Sequence, residues 1–160
     1  MFVGEQPGDQ EDRSGHPFVG PSGKLLDDAL EDAGIDRNDV YVTNAVKHFK
    51  WQEQRGKRRI HKTPNSSEIR ACHPWLEQEI ALVKPDVVVP LGATAAKAIM
   101  GASFRVSTQR GKAVQSDWAG TVIATVHPSS ILRAPDAESR EQARKDFFAD
   151  IRKVARRLKK

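Results

Sequence analysis

The sequence is poor in cysteine and lacks long apolar runs. It contains 1 cysteine among 160 residues, so neither a disulfide framework nor a four-thiolate metal site can form within the chain. No apolar run approaches the roughly 20 residues of a membrane-spanning helix. No basic segment followed by an apolar stretch marks a signal peptide. We therefore expect no membrane association and a cytoplasmic location.

Charged residues are plentiful but unevenly distributed. They make up 29% of the chain, and hydrophobic residues make up 38%, which is typical of one globular domain spanning residues 1–160. Residues 1–40 carry ten acidic and three basic side chains, whereas residues 47–63 and 144–160 each have a net charge of +6. A basic loop and a basic tail predict a polyanionic partner, with solvated surface as the alternative.

The hydrophobic pattern predicts an α/β fold, because short apolar segments alternate with segments of helical spacing. The predicted strands are residues 1–4, 40–44, 86–91 and 121–126. The predicted helices are residues 22–34, 65–83, 93–100 and a last helix from about Ala137. Segments 5–23 and 47–63 are predicted as loops, and 104–118 as a loop with at most a minor strand. This alternation is typical of a parallel sheet covered on both faces.

Ligands of such sheets bind beyond the carboxyl ends of the strands, and the first strand leads into a glycine-rich acidic segment. Glu5 and Asp9 stand there with further carboxylates, which suits general-base or cation-stabilising chemistry better than a phosphate cradle. Phe18 follows in a proline-rich loop, where its ring is placed to stack on a flat ligand. The alternatives are a solvated acidic turn and a core position for Phe18.

Two further strand ends carry polar side chains. Asn44 offers a donor and an acceptor that match the edge of a nucleic-acid base, although an asparagine after a strand is also a common turn residue. His127 ends another predicted strand, where it would stabilise negative charge on a leaving group. Ser129 is placed to cap a turn or bind phosphate, and Arg133 to contact a DNA backbone.

The basic segment 47–63 contains a histidine directly after a cationic run. Lys57, Arg58 and Arg59 precede His61 by a few residues, and such cations attract DNA phosphates. Cationic surroundings favour neutral imidazole, which acts as a nucleophile or a base. The alternative is a basic surface loop with an incidental histidine.

Together these motifs resemble the uracil-DNA glycosylase superfamily. They are Gly-Glu-Gln-Pro-Gly with Pro-Phe-Val-Gly-Pro-Ser-Gly, then Val-Thr-Asn-Ala-Val-Lys, Leu-Gly-Ala-Thr-Ala and His-Pro-Ser-Ser. Their order and spacing agree along essentially the whole chain. Gln6 and the Lys-Arg-Arg-Ile-His run are similar to the UdgX type within the iron–sulfur, family 4-like branch.

The resemblance implies a three-layer α/β/α sandwich on a four-stranded parallel sheet. It also implies that a deoxyuridine is flipped out of DNA into a pocket. Phe18 would stack on the uracil, and Asn44 would read its Watson–Crick edge. His127 would stabilise the departing uracil, and Arg133 would hold the distorted strand, with Ser129 beside them. The expected partner is uracil-containing DNA, preferentially single-stranded, bound by a monomer.

The UdgX type implies a different end to the reaction. It captures C1′ of the sugar on the histidine of the inserted loop, here His61, instead of releasing an abasic site. Glu5 or Asp9 would orient that histidine, and Gln6 would shape its loop. An ordinary releasing glycosylase and a non-catalytic nucleic-acid-binding module remain the alternatives.

The resemblance also implies a [4Fe–4S] cluster. The family holds it through an N-terminal Cys-x-x-Cys pair and two later ligands. Cys72 matches the last ligand and His48 the one before it, although Cys72 also fits a buried apolar position on a helix. The first pair is absent, so we expect the chain to be truncated at its N-terminus, with the cluster incomplete or absent.

Overall fold

The computed structural model describes residues 1–56, 58–117 and 119–158. The strands of these residues are β1 (Phe2–Gly4), β2 (Val42–Asn44), β3 (Trp51–Gln54), β4 (Arg58–His61), β5 (Val87–Pro90), β6 (Ala113–Ser116) and β7 (Gly120–Ile123). Five of them form one sheet in the order β2–β1–β5–β7–β6, while β3 and β4 form a separate antiparallel hairpin. Four neighbouring strands, β2, β1, β5 and β7, run parallel.

Helices cover both faces of this sheet. They are α1 (Asp9–Ser14), α2 (Pro21–Ala33), α3 (Ser66–Val83), α4 (Ala93–Met100), α5 (Val106–Gln109), α6 (Pro128–Leu132) and α7 (Ala137–Leu158). Helices α2, α6 and α7 pack together on one face, and α3 packs with α4 on the other. The predicted three-layer α/β/α arrangement is therefore confirmed. None of the helices in the described ranges is long and apolar enough to cross a membrane.

Alternation along the central strands divides the core into two layers. Val87 and Val89 of β5 pack in the cluster of α2 and α7, whereas Val88 packs in the cluster of α3 and α4. Phe2 and Val3 of β1 divide in the same way. Successive strand residues point to opposite faces, so a continuous apolar run is what a sheet covered on both sides requires. This double burial makes the carboxyl ends of β1, β2 and β5 a rigid platform.

The sheet has one strand more than the four expected. Strand β6 pairs antiparallel with β7 at the edge and corresponds to the minor strand expected within 104–118. Its residues alternate between exposed and half-buried, which explains its weak sequence signal. An antiparallel edge strand leaves the parallel core of the sheet unchanged.

Two segments predicted as loops contain regular structure, and both predictions were wrong in this respect. Residues 9–14 form α1, which has no buried residue and therefore no apolar periodicity to detect. Strands β3 and β4 lie within the second segment and form a hairpin, and among the residues of these two strands only Arg59 is not exposed. Gly56 lies at its turn with a φ of 91°, a conformation that favours glycine.

The helix boundaries follow local capping. A capping box is present at the start of α3, where the side chains of Asn65 and Glu68 accept hydrogen bonds from each other's backbone N–H. Helix α2 begins at Pro21, one residue earlier than the predicted start at residue 22, and Gly20 is its N-cap. Pro21 occupies its first turn, where the missing N–H costs no hydrogen bond.

Candidate active site

A cleft of about 460 Å³ lies at the carboxyl ends of the parallel strands. It brings together most of the predicted site residues, namely Glu5, Gln6, Phe18, Asn44, His61, His127, Ser129 and Arg133. Asp9, Arg58 and Arg59 do not line it, and Lys57 lies outside the described residues. The volume falls within the range of small-molecule pockets.

One wall of the cleft is a narrow slot that exists because Gly4 has no side chain. A Cβ at Gly4 would lie 2.4 Å from Oδ1 of Asn44 and 2.8 Å from Cε2 of Phe18. The backbone of Phe18 is left-handed, with a φ of 54°. A Cβ at Gly23 would lie 1.8 Å from the Phe18 carbonyl oxygen. Phe18 therefore has its place because two glycines make room for it.

Asn44 presents an unused amide in this slot. It is 6% exposed and lies opposite Gly4 in the parallel register of β1 and β2. Among the described residues, its side chain has no hydrogen-bond partner, whereas its backbone carbonyl accepts a hydrogen bond from Lys47 Nζ at 2.7 Å. The donor and the acceptor of the amide are both available to a planar ligand.

A network that sequence reasoning missed holds the backbone of Asn44. Lys47 Nζ also bonds Oγ1 of Thr43 at 2.8 Å and Oε2 of Glu79 at 2.5 Å. Tyr41 and Thr43 donate their hydroxyl hydrogens to the same carboxylate. The network joins the end of β2 to α3, and Val-Thr-Asn-Ala-Val-Lys contains no spacing that would identify Glu79 as its partner.

His127 lies on the other side of Phe18. The two rings are 5.6 Å apart between centroids and inclined by 29°. His127 is the N-cap of α6 rather than the last residue of β7, and its Nδ1 accepts a hydrogen bond from the Ser129 N–H at 3.1 Å. Burial lowers the pKa of His127 to about 4, so the ring is neutral near pH 7. Because Nδ1 is an acceptor, the proton lies on Nε2.

Glu5 and His61 form the second polar pair of the cleft. His61 Nε2 lies 2.8 Å from Oε1 of Glu5, and Thr94 Oγ1 donates to Oε2 at 2.5 Å. Burial alone raises the pKa of Glu5, but these hydrogen bonds outweigh burial and hold that pKa below its usual value. Sequence reasoning missed Thr94, although it follows the strand-end motif Leu-Gly-Ala.

The prediction that His61 has cationic surroundings was wrong. Its close partner is a carboxylate, and Arg59 instead bonds Oδ1 of Asp9 at 2.5 Å and Oδ2 of Asp12 at 2.7 Å. Asp9 therefore binds the hairpin through Arg59 rather than orienting His61 directly. Arg59 also lies over the rings of Phe49 and Trp51, at 5.1 and 5.5 Å from their centroids.

Gln6 holds the base of the hairpin. Its Nε2 donates to the carbonyl oxygens of Lys50 and Lys62 at 3.2 and 3.1 Å, and its Oε1 accepts from the Lys50 N–H at 3.1 Å. Lys50 directly precedes β3 and Lys62 directly follows β4, so one side chain binds both chain segments at the open end of the hairpin. This arrangement makes Gln6 a positioning residue for His61.

The described residues do not fit a four-ligand metal centre. They contain no group of three or more His, Cys, Asp or Glu side chains that could hold a metal ion. Cys72 is buried, and its Sγ accepts a hydrogen bond from the Lys47 N–H at 3.4 Å. His48 directly follows Lys47 in the sequence, and its side chain is exposed. Cys72 and His48 are two ligands at most, whereas a [4Fe–4S] cluster requires four.

The fold and the cleft agree with a known family. A sequence model of the uracil DNA glycosylase superfamily matches residues 1–152. The chain belongs to the uracil-DNA glycosylase superfamily.

Similar proteins place it near one branch of this family. The chain is 39% identical over 142 residues to a type-4 uracil-DNA glycosylase of Pyrobaculum aerophilum, covering 84% of this chain and 68% of that protein. It is 39% identical over 163 residues to a type-4 uracil-DNA glycosylase of Thermotoga maritima, covering 100% and 78%. A type-5 uracil-DNA glycosylase of P. aerophilum is 33% identical over 104 residues, covering 62% and 41%.

Proposed function

We propose that the protein excises uracil from DNA and captures the resulting sugar covalently on His61. The observation that carries uracil excision is the slot of Phe18, Asn44 and His127, in which an unpaired amide lies beside an aromatic ring. Relatives named type-4 uracil-DNA glycosylase support the same substrate. The cleft of about 460 Å³ is large enough for a flipped base and its sugar.

The first step breaks the bond between C1′ of the sugar and N1 of uracil. Phe18 stacks on the flipped base, and the Asn44 amide pairs with its Watson–Crick edge. The bonding electrons leave with uracil, whose developing negative charge receives a hydrogen bond from Nε2–H of His127. A neutral imidazole supplies this hydrogen bond without transferring its proton.

The second step forms a bond to the sugar. Loss of uracil leaves an oxocarbenium-like sugar with positive charge at C1′. The Nε2 atom of His61 contacts the ionised Glu5 carboxylate. When His61 carries both ring protons, Glu5 accepts the Nε2 proton. The freed Nε2 lone pair then forms the C1′–N bond. Glu5 ends protonated, and the positive charge of the sugar passes to the alkylated imidazole ring.

A covalent gel assay tests both steps. Labelled single-stranded DNA with one deoxyuridine is mixed with the protein, heated in detergent and separated on a denaturing gel. We expect a shifted band with wild type and with His16→Ala, which removes an exposed histidine outside the cleft, but none with His61→Ala. A shifted band with folded His61→Ala would exclude His61 as the nucleophile.

The same gel separates the alternatives. An unshifted oligonucleotide that breaks in alkali would identify a releasing glycosylase, the second candidate favoured by the type-4 relatives. Intact DNA with a folded wild-type protein would exclude glycosylase activity and leave a nucleic-acid-binding module. The two steps above use side chains of the cleft alone, and Cys72 and His48 supply at most two of the four ligands of a [4Fe–4S] cluster.

A further inference from the structure

Trp51 is an exposed aromatic residue directly beside the proposed nucleophile. In the antiparallel hairpin it pairs with His61 across the two strands. Directly opposed residues project from the same face, with their Cβ atoms about 5 Å apart. Trp51 is 43% exposed, whereas tryptophan is usually well buried. The pairing therefore places a large, solvent-accessible ring on the same face of the hairpin as His61, which lines the cleft.

The ring is supported from within the protein. The Arg59 guanidinium lies 5.5 Å from the Trp51 ring centroid, and Asp9 and Asp12 hold that guanidinium. A cation over an aromatic face is attractive, and here its position is fixed by two carboxylates. Trp51 is thus anchored through Arg59 while much of its surface stays open to a ligand.

We propose that Trp51 stacks on an unpaired base next to the deoxyuridine on the same DNA strand. This inference rests on the proposed function. The neighbouring nucleotide is joined to the captured sugar by one phosphodiester, so its base lies within reach of a ring beside His61. In a duplex that base is stacked and paired with its complement, whereas in a single strand it is free to stack on protein.

The charge of the hairpin favours a nucleic-acid occupant. Arg55 and Arg58 are exposed and form no ion pair with the described residues. Uncompensated arginines on the same hairpin as an accessible aromatic ring favour a single-stranded nucleic acid, since the cations attract phosphates and the ring accepts any base. An apolar protein partner would not require these charges.

Single-turnover kinetics on single-stranded uracil DNA tests the proposal. The rate of uracil release is measured against protein concentration, which gives an apparent affinity and a rate at saturation. We expect Trp51→Ala to weaken the apparent affinity by about 5- to 150-fold, with a smaller loss on duplex DNA. Trp51→Phe should retain most of the affinity. The matched control is Trp75→Ala, which removes a tryptophan on α3 that is 59% exposed.

A cycle with altered DNA identifies the stacking partner. Two oligonucleotides each lack one base, either 5′ or 3′ of the deoxyuridine. One of them should weaken wild-type binding as much as Trp51→Ala does, and should weaken binding to Trp51→Ala no further. Unchanged affinity of Trp51→Ala, or independent losses with both oligonucleotides, would overturn the proposal. Absence of uracil release by wild type would instead contradict the proposed function.

A second pair of variants separates the loss of stacking from structural damage to the hairpin. If Trp51→Ala lowers the thermal stability of the protein, Trp51→Leu and Trp51→Phe are compared in its place. Both side chains preserve apolar bulk, but only phenylalanine stacks on a base. Equal affinities of these two variants would overturn the stacking role.

Discussion

The floor of the cleft and the hairpin above it are built in opposite ways. The floor residues Phe18, Asn44 and His127 lie at the ends of elements that pack in the apolar core. The hairpin β3–β4 is exposed at all positions except Arg59. It is attached through polar contacts of Gln6 and through the ion pairs of Arg59. The residues proposed to recognise the base thus lie against the core, and the proposed nucleophile lies on a separately anchored element.

This difference predicts separable failures. Elements with few buried apolar contacts open at lower free energy than the core does. Damage to the floor should therefore abolish excision, whereas damage to the hairpin attachment should change the fate of the sugar.

The largest expected effect comes from Gly4→Ala, which breaks the floor and leaves the hairpin contacts intact. The new Cβ would overlap Asn44 Oδ1 and Phe18 Cε2, and displacing reacting groups by about 1 Å costs on the order of 10²-fold in rate. We expect at least that loss in single-turnover uracil release. The control is Gly20→Ala, whose Cβ would meet only the flexible side-chain ends of Gln10 and Glu11, at 3.3 and 3.7 Å. Wild-type rates with Gly4→Ala would contradict the requirement for a residue without a side chain next to Phe18 and Asn44.

The second prediction concerns the pH dependence of stability at the floor. Burial lowers the pKa of His127 from 6.5 to about 4, so between these pH values the unfolded chain binds a proton that the folded protein does not. Stability therefore increases as pH rises through this window, by about 3 kcal/mol from this group. Urea unfolding from pH 4 to pH 7 should show this increase in wild type and a flatter profile in His127→Gln. Parallel profiles would contradict the lowered pKa of His127.

The third prediction breaks the hairpin attachment alone. Gln6→Ala removes three hydrogen bonds to Lys50 and Lys62. We expect the ratio of covalent adduct to free uracil to fall by about tenfold or more, while total uracil release changes little. Amide hydrogen exchange across residues 51–61 should accelerate whether or not an adduct forms. The matched variant Gln52→Ala, at an exposed hairpin position, should behave like wild type.

The smallest expected effect sharpens the role of the floor. Lys47→Met removes the hydrogen bond to the Asn44 carbonyl and leaves Glu79 without its cation. We expect the preference for uracil over cytosine to fall by about three- to tenfold. Lys97→Met, at an exposed position on α4, is the control. An unchanged preference, measured by competition between the two bases, would limit Lys47 to a structural role.

The floor was largely predictable from the sequence, and the hairpin was not. Apolar runs identified β5 and β7, and the strand-end rule placed Phe18, Asn44 and His127 around one crevice. Short-range patterns suffice there, because Asn44 and His127 stand at or just beyond the ends of buried strand segments and Phe18 lies in the glycine- and proline-rich loop that follows β1. The same patterns predicted helices on both faces of the sheet.

The missed features depend on contacts between distant segments. Gln6 meets Lys62 across 56 positions, and Asp9 meets Arg59 across 50. A single sequence carries no signal for such polar pairs. The hairpin escaped detection because its stability comes from those pairs rather than from an apolar face. The cation run before His61 predicted the wrong neighbours for the same reason, since Arg59 turns to the carboxylates of α1.

The two glycines that accommodate Phe18 limit which substitutions the protein tolerates. Gly4 and Gly23 contribute no atoms that a ligand would recognise, yet a side chain at either position would overlap Phe18. A saturation mutagenesis experiment scored on uracil release should therefore find both positions as intolerant as Asn44. Selection for uracil recognition would therefore require glycine at both positions, although neither residue has a side chain to contact the base.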